Sequence, residues 1–258
     1  MMVRGLLWLL AGIISIALSA LVFLPASWMA AIVESQSAGR VTLGDAQGTM
    51  WDGSAFIGGA SGNNAPVTPL LPGRFEWKLS PMLLLGSVEM ELKNPEAISQ
   101  TVTLTGNWRQ WQVSPAAITL PAERLAALGA PLNTILPSGQ MQLSWTPLQL
   151  MLHEGIMEVN GTMNLEMSGI SSRMSPIKPL GDYNLALDWQ GQKATARLST
   201  RQGPMLLNGS GVFNNGRLQF SGTAEAEAGQ EERLDNFLNL LGQHRRVNDR
   251  DVIALEFR

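Results

Sequence analysis

The chain has no cysteine, two histidines and one tyrosine in 258 residues. Without cysteine there is no disulfide, no thiol nucleophile and no thiolate zinc site, so any fold must be held by its apolar core. His153 and His244 stand far apart, and no paired carboxylates cluster near either, which argues against a hydrolase. Charge is scarce too, at 15% of residues. Residues 1–24 hold one of the 18 basic residues, Arg4, and none of the 21 acidic ones, leaving a net charge of −4 on the rest. A mildly acidic body lacks the basic footprint that nucleic acid requires. No nucleic-acid partner, metal or cofactor is expected.

What the chain does have is one long uncharged apolar run, residues 5–24, containing Gly5, Leu6, Trp8, Ile13, Leu18 and Leu24. At about 1.5 Å per helical residue, some twenty residues match a hydrocarbon core about 30 Å thick. The run exceeds the roughly 7–15 apolar residues of a signal peptide. It is expected to be an uncleaved transmembrane helix, with Trp8 and Trp28 as interfacial anchors. Arg4 precedes it and no basic residue follows until Arg40, which places residues 1–4 in the cytoplasm and residues 25–258 on the far side.

That remainder alternates with period two, the pattern of strands with one dry face. Met157, Val159, Gly161, Met163, Leu165 and Met167 alternate with Glu158, Asn160, Thr162, Asn164 and Glu166. Similar runs cover 140–145, 148–152, 183–190 and 218–225, and 252–257 reads as a last strand. An apolar phase shift between Val102-Leu104 and Trp111-Val113 predicts a bulge near Arg109-Gln110. Turns are expected at Asn63-Asn64, Pro72-Gly73, Asn94-Pro95, Ser138-Gly139, Gln190-Gly191 and Asn214-Asn215-Gly216. Two short helices are expected. One runs from Pro121 to Leu128 and stops at Gly129; the other covers 231–241 with Gly242 as its C-cap. The expected fold is mainly β: an extended antiparallel sheet, as a sandwich or half-open trough. Pro176, Pro179 and Gly181 mark a possible division into two lobes near 173–181.

Gly48-Thr-Met-Trp51-Asp52-Gly53 is the most distinctive local motif. It reads either as a ligand pocket around Trp51 with Asp52 as charged contact, or as a tight turn beside a packed indole, which is the commoner outcome. His153-Glu154 next to Gly155 reads as a strand-end turn. The long Met, Leu and Trp faces admit two outcomes. They close into a core, or they leave an apolar trough for lipid.

The ordered series of motifs resembles the type II secretion system protein N family. It comprises Leu24-Pro-Ala-Ser-Trp28, Val41-Thr-Leu43 leading into Gly48–Ala55, Phe75-Glu-Trp-Lys-Leu79, Leu84-Leu-Gly86, Leu120-Pro-Ala-Glu-Arg-Leu125, Pro179-Leu-Gly-Asp-Tyr183, Gly203–Gly209 and Leu240-Leu-Gly242. The resemblance implies a non-enzymatic accessory component of the machine that exports folded proteins across the outer membrane. It implies an inner-membrane location with the bulk of the chain in the periplasm. The implied partners are the inner-membrane platform, the secretin and inner-membrane lipid. The alternative reading is an anchored periplasmic lipid-binding or lipid-transfer module.

Overall fold

The computed structural model describes the chain except residues 1, 38, 40, 60–67, 129–131, 215–216, 248–249 and 258. The side chains of 2–7, 68, 127–128, 132–133, 218, 243–244, 246–247, 250–251 and 257 are also outside the description.

Two helices lead: α1 (Met2–Val22) and α2 (Ser27–Gln36). Strands β1 (Val41–Gly48), β2 (Asp52–Gly59), β3 (Thr68–Pro69) and β4 (Phe75–Leu79) follow. A 3-10 turn at Pro81–Leu85 leads to β5 (Ser87–Lys93), β6 (Val102–Asn107), β7 (Gln110–Val113) and β8 (Ala116–Pro121). A second 3-10 segment (Ala122–Leu128) and α3 (Leu132–Ile135) precede β9 (Pro137–Trp145), β10 (Leu148–His153) and the long β11 (Ile156–Ser172). Then come β12 (Gly181–Gly191), β13 (Lys193–Gln202), β14 (Met205–Asn214), β15 (Arg217–Ala226), α4 (Glu231–Leu241), β16 (Gln243–Val247) and β17 (Arg250–Phe257).

All seventeen strands among the described residues belong to one connected sheet. Every pairing is antiparallel. From β11 onward the order is β11-β12-β13-β14-β15-β17-β16. On its other side β11 forks. Its first residues, 156–160, pair with β10, which continues through β7, β6, β5 and β4 to β2 and β1. Its later residues, 163–172, pair with β9, which pairs with β8. Seventeen residues at about 3.4 Å each let one strand serve both branches. Apolar side chains from both branches meet in one core: Phe75, Val102 and Ala116 are buried there with Ala97 and Ile98 of the β5–β6 connection. Asn94 fixes that connection. Its side-chain amide donates to the Pro72 carbonyl at 2.8 Å, and its Oδ1 accepts from the Glu96 and Ala97 amides.

The alternation works as the residues dictate. In β4, Phe75, Trp77 and Leu79 are buried while Glu76 and Lys78 are exposed. The largest core closes one end of the sheet. Leu234, Phe237 and Leu238 of α4, spaced i, i+3 and i+4, pack with Tyr183, Met205, Ala224 and Ile253. Tyr183 donates its hydroxyl to the Met205 carbonyl at 3.0 Å. Burial, and secondarily the Asp182 charge, pushes its phenol far above the ordinary value near 10. The folded protein therefore keeps this proton where the unfolded chain would release it, so stability is intact below about pH 10 and falls above it. Tyr183→Phe is expected to cost about 1 kcal/mol at neutral pH through the lost hydrogen bond. It is also expected to remove the share of the alkaline decline due to this phenol. Denaturant melts at neutral and alkaline pH check both, and an ultraviolet titration of the single tyrosine checks the assignment.

Several expectations need correction. Among the described residues, no helix is long and apolar enough to cross a membrane. The expected span at 5–24 falls on α1, but its described side chains cover only residues 8–22, about 22 Å of helix. Leu24 lies beyond the end of the helix. The phase shift after Leu104 is a hairpin, not a bulge: Asn107 Oδ1 accepts from the Arg109 and Gln110 amides, and Gly106 pairs with Trp111. Ser138-Gly139 lies inside β9, opposite a register shift in β11, and makes no turn. Gly242 is extended (φ 178°), not a left-handed cap. A Cβ there would collide with the Ala254 carbonyl oxygen, so close strand approach explains the glycine. Residues 122–128 form a 3-10 segment after Pro121, which ends β8. Helices α2 and α3 and the Pro81–Leu85 turn were not foreseen. Asn63-Asn64 and Gly129 lie outside the described residues.

Candidate functional site

The Gly48–Gly53 motif is the turn between β1 and β2. Thr49 organises it: its hydroxyl accepts from the Trp51 and Asp52 amides, and its amide donates to the Asp52 carbonyl at 2.8 Å. Gly48 takes φ +85°. Gly53 lies against the Trp77 ring, where a Cβ would stand 2.6 Å from both that ring and the Thr49 carbonyl. Trp77 Nε1 donates to the Met50 carbonyl at 3.1 Å. The Asp52 carboxylate points to solvent, 4.0 Å from an equally exposed Lys78, a pairing worth little.

The turn's partners give it a role that the motif alone does not reveal. Trp51 Nε1 donates to the Leu21 carbonyl at 2.7 Å, thirty residues away. That carbonyl belongs to the last turn of α1, where helix geometry leaves acceptors without intrahelical donors. The Met50 amide donates to the Leu24 carbonyl at 2.8 Å, and the Ala26 amide donates to the Gly48 carbonyl at 3.1 Å. Ala26 is buried with Ala55 and Trp77, and Met29 of α2 packs on the same cluster. The β1–β2 turn thus holds the α1–α2 junction onto the sheet. Trp51→Phe keeps the ring and removes the donor. It is expected to cost about 0.5–1.5 kcal/mol and to speed limited proteolysis between residues 22 and 26, with a cleavage time course as the measure.

A second feature is the dry face of the sheet. Residues directly opposite in register share a face. One apolar row therefore runs Trp145, Met163, Leu187, Ala196, Gly211, Phe220 across six strands. The parallel row Leu143, Leu165, Leu185, Leu198, Gly209, Gly222, Leu255 lies nearer α4. Side chains under α4 are buried. Met163, Leu187 and Phe220 are only half-buried. Against the same stretch of sheet lies an open cavity of about 1280 Å³, lined mainly by the alternate, polar rows that face the other way, among them Thr162, Asn164, Asp188, Thr195, Arg197 and Glu256. Trp189, edge-on to Phe213 at 5.3 Å, has a buried ring N–H without a partner among the described residues.

His153 and Glu154 are exposed at the β10–β11 turn, with Glu154 at φ +52°. Among the described residues no group of His, Asp or Glu is placed to hold a metal ion. Arg245, from the charged stretch after α4, pairs with Glu256 at 3.4 Å, both partly exposed. Trp8, Ile13 and Leu18 are exposed on α1, and Gly5 and Leu6 lie in its part without described side chains. Sequence reasoning isolated the Gly48–Gly53 motif but not its contact with Leu21, which no local pattern encodes.

A family model, type II secretion system (T2SS), protein N, matches residues 39–251. No curated protein and no solved structure matches the chain.

Proposed function

The chain belongs to the type II secretion system protein N family, and on that premise we propose that it is a membrane-anchored accessory subunit of that machine, acting through protein–protein contacts. The observation that carries the anchored reading is α1. It is a 21-residue helix whose described apolar side chains, Leu21 excepted, are exposed, Trp8 at 79% and Ile16 at 72%. Exposed apolar surface on that scale calls for an apolar surrounding. In this reading α1 lies in the inner membrane and residues 25–258 form a periplasmic body. Tethering raises the effective concentration of that body for membrane partners, so modest interfaces suffice.

The sheet's outer strands are the natural docking surfaces for the platform or the secretin. Among the described residues β16 pairs only with β17, and β1 pairs only with β2. The β1 edge is blunted by a register shift between Gly44 and Gln47 and by the Asp45–Arg74 ion pair. That leaves β16 as the more open edge. The test is photo-crosslinking in cells from Arg245 on β16, with Thr42 on β1 for comparison, alongside a secretion assay in a deletion strain. Crosslinks to secretion components from Arg245 support the reading. Normal export together with no such crosslink would sink it.

The half-buried apolar row favours a second reading, a lipid-binding trough. Stoichiometric lipid extracted from purified full-length protein would support it, and its absence would remove it.

A further inference from the structure

The strand register brings a set of turns to one end of the sheet. Asp52 pairs with Lys78, Leu79 with Met90, Ser87 with Asn107, Gln110 with Met151, and His153 with Ile156. The β1–β2, β4–β5, β6–β7 and β10–β11 turns therefore lie side by side. Hydrogen bonds join them in series. The Leu79 amide donates to the Trp51 carbonyl at 2.7 Å, Trp108 Nε1 to the Leu83 carbonyl at 2.7 Å, and the Leu152 amide to the Arg109 carbonyl at 2.7 Å. The first turn in the series is the one that holds α1.

These turns are unusually greasy. After α2, twelve large apolar side chains are exposed among the described residues, and seven lie on or beside the last three turns. Leu85 is 78% exposed, Trp108 59% and Met82 51%, with Leu84, Ile156 and Met157 close to half. Isolated exposed leucines need no explanation, but a continuous row of them at one end of a sheet does. Trp108 has its N–H satisfied by Leu83 and its ring outward, next to an exposed Arg109. An indole beside a basic group suits the level of lipid head groups.

We propose that this row, from Met82 to Met157, is a membrane-contacting rim that rests in the surface of the bilayer holding α1. The inference rests on the anchored reading of α1. Its support is continuity: the exposed apolar surface of α1 ends at Phe23, and the Trp51–Leu21 hydrogen bond sets that end against the same row of turns. With a helix and a rim both engaged, the body is fixed in tilt as well as in height. Its apolar face then opens from the lipid surface towards the core closed by α4.

The absence of cysteine makes a clean test possible, because any introduced thiol is unique. Full-length Leu85→Cys, Met157→Cys, Met174→Cys and Ile13→Cys would each carry an environment-sensitive fluorophore in vesicles of phosphatidylethanolamine and phosphatidylglycerol. Spin-labelled lipids then report contact by quenching. Met174, 50% exposed in the β11–β12 connection at the opposite end, is the reference. The expected result is quenching and a blue shift at Leu85 and Met157 with none at Met174. Quenching at Ile13 while Leu85 and Met157 behave like Met174 would overturn the rim and leave the anchor standing. Quenching at the two rim positions without Ile13 would overturn the anchor and keep a peripheral rim. No quenching at any position would overturn both.

Discussion

Phe237→Ala is expected to lower the stability of the folded chain by about 3–5 kcal/mol, the range for removing a buried phenylalanine ring. Phe237 is 2% exposed, and its neighbours in α4, Leu234 and Leu238, are exposed at 0% and 7%. The three form one stripe packed on Tyr183, Met205, Ala224 and Ile253, which come from β12, β14, β15 and β17. Truncating the ring leaves a void among side chains held by a hydrogen-bonded sheet, which relaxes poorly. For a domain of this size the loss corresponds to roughly 6–20 °C in Tm. Leu240→Ala, on the opposite, exposed face of the helix at 62%, is expected to stay within about 0.5 kcal/mol. Denaturant unfolding of the two variants side by side checks the prediction. Equal effects would mean that α4 does not seal the sheet.

Gly48→Ala should have the next largest effect, on the order of 3 kcal/mol, from two penalties acting together. At φ +85° an alanine sits where L-residues are disfavoured, costing about 1–2 kcal/mol. Its Cβ would also stand 2.5 Å from the Asp52 carbonyl oxygen and 3.0 Å from the Gly53 Cα, both backbone atoms that cannot swing away. Overpacking of that kind adds about 1–3 kcal/mol. Gly86→Ala separates the two. Gly86 has φ +96° but open space around it, so only the conformational penalty remains. Gly48→Ala should therefore cost clearly more than Gly86→Ala, and thermal unfolding of both variants gives the comparison. Because the Gly48 turn holds the α1–α2 junction, the first variant should also share the faster cleavage expected of Trp51→Phe.

The local content of the fold was legible because the alternation is strict. The pattern from Met157 to Met167 could only be a strand, and the Leu234, Phe237, Leu238, Leu241 stripe could only be a helix. Reading failed where one signal had two physical causes. A phase change after Leu104 suits a bulge or a turn, and only the side chain of Asn107, bonding two amides ahead, decides for the turn. Glycine at 242 suits a helix cap or a crowded strand. The α2 sequence Ser27-Trp-Met-Ala-Ala-Ile-Val33 was overshadowed by the apolar run before it, and its own helix went unread. The fork at β11 was illegible because it depends on pairing partners far apart in the chain. The Gly48–Gly53 motif stood out by composition, while its partner Leu21 and the rim along three separate hairpins exist only in the folded arrangement.

The order of the strands carries a consequence for how this molecule comes into being. Twelve of the sixteen pairings among the described residues join strands adjacent in the chain, and apart from the β8–β9 hairpin most new strands add to an edge that is already present. A nascent polypeptide threaded out amino-terminus first can therefore lay down its structure in sequence, with little loop-closure entropy at each step. The exceptions include the two pairings at the fork. Strands β7 and β9 stay open-edged until β10 and β11 have emerged, which makes residues 148–172 the stretch whose arrival locks the first half in place.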